Sequence, residues 1–269
     1  MKNLADYITE AYKYNYNINN VPKYTSTGTD KVGKANNKTN YTVQPKNKNE
    51  LSDIITNAFK NKQYDLNFID TSKITDMSWL FENIKHNFDI SSWDVSNAKD
   101  MSYMFQFCYD LNCDLSSWDV SNVTNMKYMF ACCEKFNCDL SNWNVSNVTN
   151  MSHMFFYCEN FDINCFKSWD VSNVENTSYM FYNCKNFNCD LSNWDVSNVT
   201  NMTSMFAFCN KFDCDLSNWD VSNVTSMYFM FGHCKQFNCD LSHWNTSKIK
   251  NMKFMFKGCN RLTIPNWYK

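Results

Sequence analysis

Side chains able to do chemistry recur in this chain at fixed spacing. Cys108/Cys113, Cys133/Cys138, Cys184/Cys189, Cys209/Cys214 and Cys234/Cys239 repeat a C-x4-C pair. Structural zinc takes pairs spaced from C-x2-C to C-x4-C, with further ligands nearby. The recurrence itself argues against a metal. Ile84 stands where the first Cys of the pair is due, and Ile163 and Ile264 stand where the second is due. A slot that accepts Ile is apolar, and a buried thiol behaves as a small hydrophobe. The expectation is reduced core cysteine, with disulfides between neighbouring coils still compatible with the spacing. Cys132 and Cys165 lie outside the columns and read as the reactive thiols.

Two acid columns come next. Asp94, Asp119, Asp170, Asp195 and Asp220 follow a Trp, with Asn144 and Asn245 interrupting; Asp114, Asp139, Asp190, Asp215 and Asp240 form the second. Like charges at close spacing repel, so these carboxylates need hydration, hydrogen bonds or a counter-charge. Acceptance from turn amides is the favoured reading. A divalent-cation loop and a negative stripe facing a basic partner stay open beside it. The Ser-Asn pairs, such as Ser121-Asn122 and Ser146-Asn147, read as turns whose amides stack between coils. The four histidines, His86, His153, His233 and His243, occupy different registers, so no nucleophile–base pair emerges. No enzyme, no metal and no cofactor is expected.

The elements that must carry these columns follow from the repeat. Trp93, Trp118, Trp143, Trp169, Trp194, Trp219 and Trp244 recur every 25 or 26 residues. A weaker unit, IDTSKITDMSWLFENI (69–84), precedes them, and a degenerate one with Leu262, Ile264 and Trp267 follows. Such a period marks a repeat array. Phe136-Asn137-Cys138-Asp139-Leu140 alternates apolar and polar, which predicts a short strand. Met126, Met129, Phe130 and Cys133 fall at i, i+3, i+4 and i+7, which predicts a short helix. The expected fold is an α/β repeat solenoid, leucine-rich-repeat-like. Each coil of about 25 residues holds one short parallel strand and one short helix, in about eight coils. The seven tryptophans and Cys108, Cys133, Cys158, Cys184, Cys209 and Cys234 form its expected core. Trp169 arrives one residue late, which predicts a bulge within 161–166.

The string W-D-V-S-N-V-T-N-M-x-x-M-F, with F-x-x-C-x-x-F-N-x-D-L-S, resembles a bacterial surface-protein repeat family of 25 to 26 residues related to BspA-like leucine-rich-repeat proteins. The resemblance covers about 68–260. It implies a binding or adhesion solenoid without catalysis, often displayed at a surface.

Four segments are expected: an amphipathic helix at 1–19, a flexible linker at 20–46, a capping helix at 47–63 and the repeats at 64–269. The capping stripe is Leu51, Ile54, Ile55, Ala58 and Phe59, with Asn49 or Ser52 as the helix start. Residues 1–63 carry ten Lys against five acids, a net +5, which leaves −7 of the total −2 for the rest. No strong basic field points to nucleic acid. No window is long and apolar enough to span a membrane. The start, Met1-Lys2-Asn3-Leu4-Ala5-Asp6, has no apolar h-region. A cytoplasmic or virion-associated protein is expected, with surface display only by a non-classical route.

The most variable positions flank Met-Phe: Tyr103, Phe107, Tyr128, His153, Tyr157, Tyr179, Phe208, Phe229, His233 and Phe254. They pair at i, i+4 and form the candidate binding face, read either as lateral packing or as a protein-contact surface. The expected function is a non-enzymatic scaffold recognising a protein or glycan surface. The alternative is a structural or packaged phage component. There Met1-Lys2 with Tyr7-Ile8-x-Glu10-Ala11 resembles the capsid-targeting segments of T-even internal head proteins.

Overall fold

The computed structural model describes residues 41–161 and 166–269. The expected helix at 1–19, Cys165 and most of the expected linker lie outside them. Residues 41–46, at the end of that linker stretch, pair with the first coil. Thr42 N–H donates to Phe68 O at 2.9 Å, and Asp70 N–H to Val43 O at 2.8 Å.

Helix α1 spans Lys48–Lys60 and starts before the expected Asn49 or Ser52. The Asn47 side chain accepts the Glu50 amide at 3.0 Å, and the Glu50 carboxylate accepts the Lys46 amide at 2.8 Å. Two orphan donors are thereby satisfied at the start of the helix. Leu51, Ile55, Ala58 and Phe59 face inward. Lys62, at φ 58°, turns the chain out of the helix while Gln63 N–H donates to Ala58 O at 2.9 Å. Phe59 then packs on Phe81 and Phe88 of the first coil.

The α/β solenoid expected from the sequence is not what forms. Besides α1 and one 3-10 turn at Phe166–Ser168, the described residues hold no helix and no sheet. In place of a sheet there are isolated parallel bridges, among them the series Asp76, Asp100, Asn125, Asn150, Asn176, Asn201, Ser226 and Asn251.

The helix expectation fails for a backbone reason. Met129, Ala131 and Cys133 donate to the carbonyls three residues back, at 3.0–3.1 Å. The amides between them point to the next coil: Met126 to Asn150 O, Tyr128 to Ser152 O, Phe130 to Met154 O and Cys132 to Phe156 O, at 2.6–3.0 Å. Tyr128 and Cys132 are left-handed, at φ 56° and 61°, which reverses the winding every fourth residue. A chain of turns with a four-residue rhythm mimics the 3.6-residue period of a helix. It also leaves half of its donors free to join coil to coil.

The strand expectation fails differently. The segment from Phe136 to Leu140 is irregular, and side chains do the bridging there. Leu115 N–H donates to Cys138 Sγ at 3.3 Å, Leu191 N–H to Cys214 Sγ at 3.1 Å and Leu216 N–H to Cys239 Sγ at 3.2 Å. Asn188 and Asp213 accept amides of the following coil in the same way. Alternation survives without a backbone ladder.

The interior is a set of columns. Phe81, Phe105, Phe130, Phe155, Phe181, Phe206, Phe231 and Phe256 stack with centroids 5.5–5.8 Å apart and planes within 10°. The seven core tryptophans are buried, and each indole N–H donates to a carbonyl one coil earlier, as in Trp143 to Leu115 O at 2.9 Å. Trp169 keeps this bond, to Leu140 O at 3.1 Å, despite its late arrival. Most of the bulge expected within 161–166 lies outside the described residues. The Ser-Asn pairs stack as well: Asn122, Asn147, Asn173, Asn198 and Asn223 each donate to the carbonyl of a Ser in the preceding coil at 2.7 Å.

Candidate functional site

The candidate face resolves into two columns running along one flank. The first holds Trp79, Tyr103, Tyr128, His153, Tyr179, Ser204, Phe229 and Phe254. The second holds Asn83, Phe107, Cys132, Tyr157, Asn183, Phe208, His233 and Gly258. All sixteen positions have positive φ. The ten residues singled out from the sequence are therefore the left-handed residues of the turn chain, not one side of a helix. A left-handed non-glycine residue costs on the order of 1 kcal/mol or more. Ring stacking offsets much of this, at about 0.5–1.5 kcal/mol per pair.

The stacking is continuous over five coils. Centroids lie 3.7 Å apart for Trp79–Tyr103, 4.9 Å for Tyr103–Tyr128, 4.1 Å for Tyr128–His153 and 4.6 Å for His153–Tyr179, with planes within 12°. Ser204 interrupts the ladder. Beyond it Phe208 and His233 stack at 4.9 Å. A Cβ on Gly232 would meet the Phe229 ring at 2.4 Å, and one on Gly258 would meet His233 Nδ1 at 2.6 Å. These two glycines are the floor on which the rings lie. Phe107 is buried, whereas Phe254 is 53% exposed. Sequence reasoning missed Trp79, which heads the ladder; its register, 24 residues before Tyr103, was the available signal.

Lys127 Nζ lies 5.8 and 5.6 Å from the Tyr103 and Tyr128 ring centroids, within cation–π range. His153 is held between two tyrosines, and its Nδ1 is enclosed with no hydrogen-bond partner. Desolvation, with a smaller push from Lys127, lowers its pKa to about 3, so the imidazole in the ladder is neutral. Burial pushes the Tyr128 phenol the other way, well above its usual value.

A family described as Mycoplasma protein of unknown function, DUF285, matches residues 49–167 and 158–267. The chain belongs to this family. No curated protein and no solved structure matches it. The family match spans α1 and every coil, so the aromatic columns lie within DUF285 territory.

The cysteine columns have two distinct duties. The Cys in the first slot of a unit donates its S–H backwards: Cys133 to Phe105 O at 3.0 Å, Cys158 to Phe130 O at 3.1 Å, Cys184 to Phe155 O at 3.0 Å. The second accepts a Leu amide in three of the pairs. The slot is thus more than apolar. Ile84 fits where it does because α1, not a coil, precedes it. The thirteen described cysteines carry free thiols. Cys132, expected to be reactive, is instead buried, and desolvation raises its thiol to about 12.

The acid columns accept turn amides. Asp119 takes the Ser121 amide at 3.0 Å, Asp170 the Ser172 amide at 3.0 Å and Asp215 the Ser217 amide at 2.9 Å. Hydrogen bonds from the Ser121 hydroxyl and amide hold the Asp119 carboxyl below its usual range, and Ser172 does the same for Asp170. An open groove is lined by Asp213, Asp215, Cys239, Asp240 and His243. Its carboxylates are committed to the amides of Asn238, Ser217 and Ser242. Among the described residues no three His, Cys, Asp or Glu side chains converge as metal ligands. No helix among them is long and apolar enough to cross a membrane.

Proposed function

We propose that this DUF285 chain is a non-catalytic binding scaffold whose flank recognises a protein surface. The observation that carries the reading is the ladder from Trp79 to Tyr179, whose half-buried rings are held by stacking, the three inner ones on both faces. Rigid aromatic side chains lose little entropy on association and anchor protein contacts. The ring faces within the ladder are spent on each other. With their faces covered, these half-buried rings have only their edges to offer, which suits protein contact better than the flat stacking of a sugar ring. Lys127 and the less buried phenol of Tyr103 add donors to this edge.

The test pairs the native chain with the double variant Tyr103→Phe/Lys127→Met, which keeps the rings and removes the two donors at the edge. Protein retained from a bait experiment on the native chain should be lost or weakened about tenfold, with Tm unchanged. A glycan array on which the native chain binds and the variant does not would overturn the reading in favour of sugar recognition. Retention of the same proteins by both chains would remove the flank from any role.

A further inference from the structure

A second surface lies at the far end of the flank columns, beyond the Trp79–Tyr179 ladder, and rests on different observations. In each inner coil four alternate amides donate forward to the next coil. The last such set is Met227 to Asn251 O at 2.8 Å, Phe229 to Lys253 O at 3.0 Å, Phe231 to Met255 O at 2.9 Å and His233 to Lys257 O at 2.6 Å. In the coil that follows, the equivalent amides are those of Met252, Phe254, Phe256 and Gly258. Among the described residues nothing accepts from them, while Met255, Lys257 and Cys259 between them are satisfied within the coil. A row of unpaired backbone donors is a template for an added chain.

The charge of the protein changes at the same place. Residues 64–240 hold nine Lys against 22 acids. Residues 241–269 hold five Lys and Arg261 with no Asp or Glu. Lys248, Lys250, Lys253, Lys257 and Arg261 are all exposed. Lys257 Nζ sits 5.5 Å from the centroid of Phe254, the most exposed large apolar side chain described. Donors, cations and one apolar anchor thus share a single coil.

We infer that the coil carrying Phe254 docks an acidic polypeptide segment of a partner protein. The partner's backbone carbonyls would take up the amide row, its carboxylates would face Lys253 and Lys257, and an apolar side chain would rest on Phe254. Charge complementarity selects this occupant. A second copy meeting the first through this same coil would set donors against donors and six cations against six. Residues 1–40, with six Lys against three acids, carry the wrong sign to fill it.

The experiment uses the full chain and a fluorescein-labelled ten-residue peptide of alternating Glu and Leu, read by anisotropy at low salt. Binding is expected to weaken about tenfold or more in Lys253→Glu/Lys257→Glu, and severalfold in Phe254→Ala. Lys135→Glu, exposed elsewhere, should bind as the native chain does. Hydrogen exchange gives a second readout that needs no variant. The amides of Met252, Phe254, Phe256 and Gly258 should exchange fast alone and slow on adding peptide, whereas those of Met227, Phe229, Phe231 and His233 are already slow. Absence of peptide binding, or binding that leaves those four amides fast, would overturn the proposal. So would polyphosphate protecting the same amides equally, which would reduce the surface to a generic anion patch. Self-association abolished by Lys253→Glu/Lys257→Glu would also overturn it, in favour of a second copy.

Discussion

Two ring columns run side by side through this protein and obey different rules. The inner column is Phe in every coil, from Phe81 to Phe256, with a spacing that varies by only 0.3 Å between 5.5 and 5.8 Å. The flank column is Trp, Tyr, Tyr, His, Tyr, Ser, Phe and Phe, with spacings from 3.7 to 4.9 Å where its rings stack. Inside, each ring is enclosed on every side, so one shape that packs on itself is demanded. Outside, the left-handed backbone is constant while the side chain is free to change. The array thus separates what holds coils together from what distinguishes one coil from the next.

Breaking the inner column should have the largest effect. Phe155 is fully buried between Phe130 and Phe181, and Phe155→Ala should cost about 3–5 kcal/mol. Because each coil touches mainly its neighbours, denaturation followed by tryptophan fluorescence should then show two transitions in place of one. Next comes the thiol donor. Cys158→Val removes one of the two donors to Phe130 O, which keeps the Cys133 amide, and should cost about 0.5–1.5 kcal/mol, while Cys158→Ser, which can still donate, should cost less. Equal losses in the two variants, measured by urea midpoint, would make the slot purely apolar.

Acid sharpens the comparison at His153. Its native pKa is about 3, below the ordinary 6.5. As pH falls below 6.5 the unfolded chain binds a proton that the folded chain refuses. Stability is therefore greatest above that pH and declines towards 3, by at most about 1.4 kcal/mol per unit. His153→Phe should keep the ladder and flatten the slope of Tm between pH 6.5 and 5, above the range where carboxylates contribute. The smallest effect is expected at Tyr128→Asn. Asn tolerates the left-handed backbone, so relief of strain offsets lost stacking and the net change should stay within about 1 kcal/mol.

The 25-residue rhythm, the buried Trp and Cys columns and the Asp–Ser turns were legible because each depends on residue type at a fixed register. The coil's secondary structure was not. Met126, Met129, Phe130 and Cys133 satisfy a helical period, but period reports which side chains point inward, not where each N–H goes. The clue lay in the second flank column, where Asn83, Asn183 and Gly258 share a register with aromatic residues. Asn and Gly are the residues that accept positive φ most cheaply. The donor role of the cysteines was hidden by Ile84, which occupies the one coil preceded by a helix. The flank ladder was visible as variable aromatic positions, though its head, Trp79, belongs to the weakest repeat.

The central claim is that each coil is a chain of turns reversed at every fourth residue, with alternate amides given to its neighbour. NMR of the chain labelled with ¹⁵N-tyrosine tests it most directly at Tyr103, Tyr128, Tyr157 and Tyr179. Positive φ at all four, seen as strong contacts between each tyrosine's own amide and α protons, is the expected result. Weak intraresidue contacts with helical α-proton-to-amide contacts three residues on would contradict it.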